Sequence, residues 1–156
     1  MSQLSVGDKA PAFTLPRDGG QNVALKDYRG KWLVLYFYPK DSTPGCTKQA
    51  IAFSENLSRF RRAGAEILGV SKDSVKRHEN FIAKQALKIP LASDESGEML
   101  EAYGVWVLKK LYGREYMGIA RRTFLIDPKG IIREIWPKVK VANHAEAVLD
   151  ALKALK

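Results

Sequence analysis

The chain has one cysteine, Cys46, and only two histidines, His78 and His144, among 156 residues. A lone cysteine cannot close an internal disulfide, so no cross-linked scaffold is available. That usage fits a reducing compartment, here taken as the cytoplasm. No Cys-x-x-Cys pair exists, which argues against a dithiol reductase. Two histidines in different predicted helices make a histidine-rich metal site a poor reading, and no metal or other cofactor is expected. Gly30-Lys31 follows no phosphate-loop pattern. No apolar run approaches the roughly 20 residues that a membrane crossing needs. The opening Met1-Ser2-Gln3-Leu4-Ser5 lacks the basic-then-apolar order of a signal peptide. Repeats, low-complexity tracts and linkers are also missing, which predicts one domain over residues 1–156.

Negative charge is scarce too. There are 26 lysines and arginines against 17 acidic residues, a net charge of +9. The basic residues are scattered, as Arg59, Arg61 and Arg62, then Lys72 and Lys76, Lys109 and Lys110, Lys138 and Lys140. No unbroken basic run joins them, so they read as a solvated surface and nucleic acid is not expected as a partner. A basic rim still speeds encounter with anionic reaction partners.

What is present is an alternation of strands and helices. Trp32-Leu33-Val34-Leu35-Tyr36-Phe37-Tyr38 is continuously apolar and aromatic, as in a central strand covered on both faces. Pro39 cannot donate to a ladder and ends it. Thr43 then has the character of an N-cap, with Pro44 at the first helical position. The helix keeps Ala50, Phe53, Leu57 and Phe60 on the face of Cys46 and stops at Gly64. Ile67–Ser71 is the next strand, Asp73 or Ser74 opens a second helix, Ile89–Ser93 is a short extended piece, and a third helix runs from about Ser96 to Tyr103. Residues 105–118 are the least periodic and read as a long excursion, a mobile loop. Arg121–Ile126 and Ile131–Trp136 form a hairpin across Asp127-Pro128-Lys129-Gly130. Asn143 with Glu146 makes a capping pair for a last helix. Phe13–Leu15 and Val23–Leu25 around Gly19-Gly20 suggest a small N-terminal hairpin. This order predicts an α/β fold, with a mixed central sheet flanked by helices on both faces and an N-terminal β-hairpin extension.

Cys46 has a chemical address within that frame. As the third residue of its helix, its sulfur sits among unpaired first-turn N–H groups at the positive end of the helix dipole. That position favours the thiolate, the nucleophilic form. A single cysteine on an apolar helix face is commonly no more than a small buried hydrophobe; the Thr-Pro-Gly-Cys context argues against that here. Gly45 leaves room for a small molecule near the backbone, and the Thr43 hydroxyl can bond either the sulfur or a substrate oxygen. His78 is the better candidate for a base beside Cys46, but its helix position gives it no special claim over a solvent-facing or packing role.

Tyr36-Phe37-Tyr38-Pro39-Lys40-Asp41-Ser42-Thr43-Pro44-Gly45-Cys46-Thr47-Lys48-Gln49-Ala50 closely resembles the active-site segment of the peroxiredoxins, in particular the branch called bacterioferritin comigratory protein or peroxiredoxin Q. Gly7–Phe13, Val70–Ser74, Tyr116–Ile119 and Arg121–Asp127 resemble other stretches of the family, so the likeness spans nearly the whole chain. The resemblance implies a thioredoxin-like fold that reduces hydrogen peroxide and organic hydroperoxides. It places the peroxidatic role on Cys46, support of peroxide and thiolate on Thr43, shielding of the site on Pro39, and the family's arginine on Arg121 rather than Arg122. Neighbouring strand residues point to opposite faces, so that last choice has structural content.

The chain departs from many of the relatives it resembles at Ile51 and Ile82, where they carry a second, resolving cysteine. The expected cycle therefore uses one cysteine and an external thiol reductant, thioredoxin or glutaredoxin with glutathione. A monomer or weak homodimer is expected. The competing readings are a non-catalytic thioredoxin-fold module that binds an acidic partner or nucleic acid through its basic surface, and a peroxide sensor that passes oxidation to another protein thiol.

Overall fold

The computed structural model describes residues 4–156. An antiparallel hairpin, β1 (Thr14–Pro16) and β2 (Asn22–Ala24), leads through a 3-10 turn into β3 (Trp32–Phe37). Then come α1 (Pro44–Glu55), α2 (Leu57–Arg62), β4 (Ala65–Ser71), α3 (Val75–Gln85), β5 (Leu91–Ser93) and α4 (Glu98–Ala102). A second hairpin, β6 (Trp106–Leu111) and β7 (Arg114–Ile119), precedes β8 (Arg122–Ile126), β9 (Ile132–Trp136) and α5 (His144–Leu155).

The main sheet has five strands in the order β5-β4-β3-β8-β9. β4 runs parallel to β3, and β5 parallel to β4, while β8 runs antiparallel to β3 and β9 antiparallel to β8. This is the mixed sheet that the element order implied. Every residue of β3 is buried. Val34 and Tyr36 pack with Phe53, Phe60, Phe81, Val148 and Leu152 on one face; Leu33, Leu35 and Phe37 pack with Leu100, Tyr103 and Phe124 on the other. A strand with two apolar faces cannot alternate in polarity, which explains its unbroken apolar run.

Gly69, central in β4, is where this packing is tightest. A Cβ there would stand 2.8 Å from both Tyr36 Cζ and Leu91 Cδ2. Both neighbours are fully buried. Gly69→Ala is therefore expected to destabilise the protein by about 1–3 kcal/mol through overpacking, read as a lower thermal midpoint.

Three expectations are corrected. Residues 105–118 do not form a mobile loop: they supply most of β6 and β7, paired from Trp106–Ile119 to Leu111–Arg114. Tyr112 and Gly113, at φ 50° and 78°, make the turn, as a two-residue hairpin turn of left-handed residues requires. The hairpin stands out from the core, with Leu108, Leu111, Tyr112, Tyr116 and Met117 exposed, so no buried face imposes the alternation that would have betrayed it. The helix after Cys46 does not run unbroken to Gly64 but is interrupted at Asn56. Its side-chain amide donates to the Ala52 carbonyl at 2.8 Å, beside its own backbone N–H at 3.2 Å. Asn143 is the N-cap residue of α5 but is left-handed at φ 61° and makes no side-chain cap. Glu146 instead accepts from Arg59 Nη1 at 2.6 Å and ties α5 to α2.

His144, at the start of α5, is buried, with Nε2 2.9 Å from Thr123 Oγ1 and its ring edge-on to Phe53 and Trp136. Burial first, and the positive charge of Arg121 second, lower its pKa from 6.5 to about 4. The folded value lies below the unfolded one, so the neutral ring's contribution is complete above pH 6.5 and is lost as pH falls toward 4. Thermal melts from pH 7 down to 4 should show a steeper loss of stability for the wild type than for His144→Gln.

Candidate active site

Strand topology brings together residues far apart in the chain. β3 and β8 are antiparallel, with Phe37 opposite Arg122, so the end of β3 lies beside the start of β8. α1 begins from the loop that leaves β3. Thr43 takes extended dihedrals (φ −80°, ψ 154°) as N-cap, and Pro44 opens the helix. Cys46 thus occupies the third helical position, 1% exposed, where the amides of the first turn have no carbonyl four residues back to bond.

Arg121 Nη2 lies 3.4 Å from Cys46 Sγ. Its Nη1 donates to Gln49 Oε1 at 2.7 Å, and Gln49 is itself buried. The guanidinium is therefore aimed at the sulfur by a side chain one helical turn beyond the cysteine. A Cβ on Gly45 would come within 3.2 Å of Arg121 Nη2, so the space beside the backbone at Gly45 is taken by the guanidinium. Arg122 points elsewhere, donating to the Gly104 carbonyl at 2.9 Å and the Pro137 carbonyl at 3.3 Å. The alternation that separated the two arginines in the sequence thus has its counterpart in space.

The Thr43 hydroxyl donates to the Lys40 carbonyl at 2.9 Å rather than to the sulfur. Its lone pairs remain free to accept. Pro39 is half-buried where the chain leaves β3. Lys109, from β6, adds a further cation: burial first, and the Arg121 charge second, pull its pKa below the ordinary lysine range, while Cys46 acts in the opposite sense. His78 makes no hydrogen bond to Cys46; it is fully buried and bonded to Asp41 and to the Ala92 carbonyl. Gln49 and the pairing of Asp41 with His78 were not singled out from the sequence, and Lys109 was noted there only as a surface cation. The spacing of Gln49 from Cys46 is the one signal that could have found a member of this group.

A buried sulfur at a helix start, faced by a guanidinium, is an arrangement that stabilises negative charge on the sulfur and on an atom displaced by it.

The chain has relatives among known proteins. Residues 6–135 match the model of the AhpC/TSA family. The chain is 52% identical over 147 residues to peroxiredoxin Bcp of Xanthomonas campestris, covering 93% of this chain and 92% of that one. It superposes on a PrxQ mutant of Xylella fastidiosa with a TM-score of 0.94 at 43% identity, covering 99% of each chain. It also superposes on the X. campestris bacterioferritin comigratory protein, studied for its alkyl peroxide reduction activity, with a TM-score of 0.87 at 50% identity, covering 92% and 91%.

Proposed function

From the premise that the chain belongs to the AhpC/TSA family, as a peroxiredoxin of the Bcp or peroxiredoxin Q branch with a thioredoxin-like fold, we propose how its own residues carry the reaction. The protein is a thiol-dependent peroxidase. In our reading Cys46 is the peroxidatic nucleophile, Arg121 and Thr43 support the thiolate and the peroxide, and Pro39 shields the loop.

The Cys46 thiolate attacks the terminal peroxide oxygen in line. The S–O bond forms as the O–O bond breaks, and the electron pair leaves on the departing oxygen, which takes up a proton as water or an alcohol. Cys46 becomes a sulfenic acid. Charge develops on the leaving oxygen, and a preplaced guanidinium stabilises it without reorganising, typically the largest catalytic contribution. An external thiol then attacks the sulfenic sulfur, releasing water and leaving a mixed disulfide, which a second thiol reduces.

The observation that carries this reading is the 3.4 Å contact between Arg121 Nη2 and the Sγ of the sole cysteine. With isoleucine at both 51 and 82, the cycle has no internal resolving thiol. We assign the reductant to thioredoxin or to glutaredoxin with glutathione, the substrates to hydrogen peroxide and alkyl hydroperoxides, and the setting to the cytoplasm. No helix among the described residues is long and apolar enough to cross a membrane. Intact-mass analysis after peroxide should show a monomer gaining oxygen on Cys46; rapid and exclusive formation of a covalent dimer would overturn the external-thiol cycle. Turnover with each reductant system in turn then separates the two donors.

A further inference from the structure

Two buried titratable residues that the peroxidase chemistry leaves without a task, Asp41 and His78, meet under the loop between β3 and α1. Asp41 and His78 are 3% and 0% exposed. One Asp41 carboxylate oxygen accepts the Tyr38 hydroxyl at 2.5 Å, and the other lies 2.6 Å from His78 Nδ1. His78 Nε2 lies 2.9 Å from the Ala92 carbonyl. A carbonyl only accepts, so Nε2 carries a hydrogen, and a single proton is shared between Nδ1 and Asp41. The Asp41 backbone N–H donates to Asp73 Oδ2 at 2.8 Å, which also accepts the Ser71 hydroxyl at 2.7 Å. One loop residue thus joins the ends of β3 and β4 to α3 and, through His78, to β5.

The next residue, Ser42, has φ +67°. Non-glycine residues adopt such a conformation uncommonly. Thr43 and the helical turn bearing Cys46 follow at once. Lys40, Ser42 and Pro44 are exposed, so the outer side of this segment already meets water.

We propose that Asp41 and His78, with Tyr38, are positioning residues for the peroxide reaction, holding residues 39–43 in the conformation that presents Thr43 and the buried Cys46 sulfur to a small peroxide while denying that sulfur to bulkier reagents. The proposal rests on the one-cysteine peroxidase reading above. Cys46 is 1% exposed, so a large thiol cannot reach its sulfur unless the loop moves. Removing the His78 ring leaves a buried carboxylate short of a partner. The least costly relief is for Asp41 to move into solvent, taking the loop with it.

Two rates on His78→Leu and Asp41→Asn test this: oxidation of Cys46 by hydrogen peroxide, and labelling of the reduced protein by a bulky aromatic disulfide. Oxidation should slow about 10- to 100-fold, the scale of a catalytic misplacement of around 1 Å, while labelling becomes faster. The double variant should be no slower in oxidation than the slower single one, because the two side chains act as a unit. Unchanged rates, or both rates falling together, would overturn the positioning role. Should His78→Leu not fold, Tyr38→Phe removes only a hydroxyl and should give the same opposed shifts at smaller size; unshifted rates there overturn the proposal. Absence of wild-type oxidation at Cys46 would overturn the peroxidase reading itself, whereas normal wild-type oxidation with unshifted variants removes the positioning role alone.

Discussion

Cys46→Ser is expected to abolish peroxide consumption supported by dithiothreitol, a loss on the order of 1,000-fold or more, down to the uncatalysed background, as for removal of other catalytic nucleophiles. A serine hydroxyl at this position fills nearly the same volume, so the fold should survive. It does not ionise near neutral pH, and no neighbouring base stands ready to activate it: among the described residues the one hydrogen bond to Sγ comes from Arg121, a donor. The chain has no second thiol to take over. Equal rates for wild type and variant would remove the enzymatic reading and restore the non-catalytic binding module, which salt-sensitive binding to an acidic partner would then support.

The second large effect is at Arg121. Arg121→Ala should slow Cys46 oxidation by about 100- to 1,000-fold, the usual cost of losing a preplaced donor to developing charge. Arg121→Lys should recover part of the rate, since it keeps the charge but not the planar fork that engages Gln49 and the sulfur together. Arg122→Ala is the matched control. Its guanidinium braces two carbonyls away from the sulfur, so its loss should lower stability more than rate. A comparison with iodoacetamide sharpens the assignment. Alkylation has no oxygen leaving group to stabilise, so Arg121→Ala should slow it less than it slows peroxide reduction. Equal slowing of the two reactions would mean that the guanidinium acts on the thiolate alone.

The parts of this site that were readable in the sequence depend on local rules. The unbroken run at Trp32–Phe37 announced a strand buried on both faces. Thr43 and Pro44 marked a helix start, and that start set the position of Cys46. Strand alternation together with the family resemblance distinguished Arg121 from Arg122. What escaped depends on contacts across the fold or on exposed structure. Asp41 and His78 are 37 residues apart and meet because parallel β3, β4 and β5 end at the same edge. The β6–β7 hairpin lacks a buried face along most of its length, so its period was hidden. The break at Asn56, where φ is −97° and ψ 3°, is a local backbone departure that apolar spacing does not report.

The antiparallel pairing of β3 and β8 brings together two groups that stand 75 residues apart in the chain. A ribosome must therefore translate well past the cysteine before its cationic companion exists. During that interval a nascent polypeptide carries the sulfur without the guanidinium that we propose supports it. On the proposed roles, competence against oxidants arrives as a property of the finished molecule, and truncated products inherit a residue without its partner.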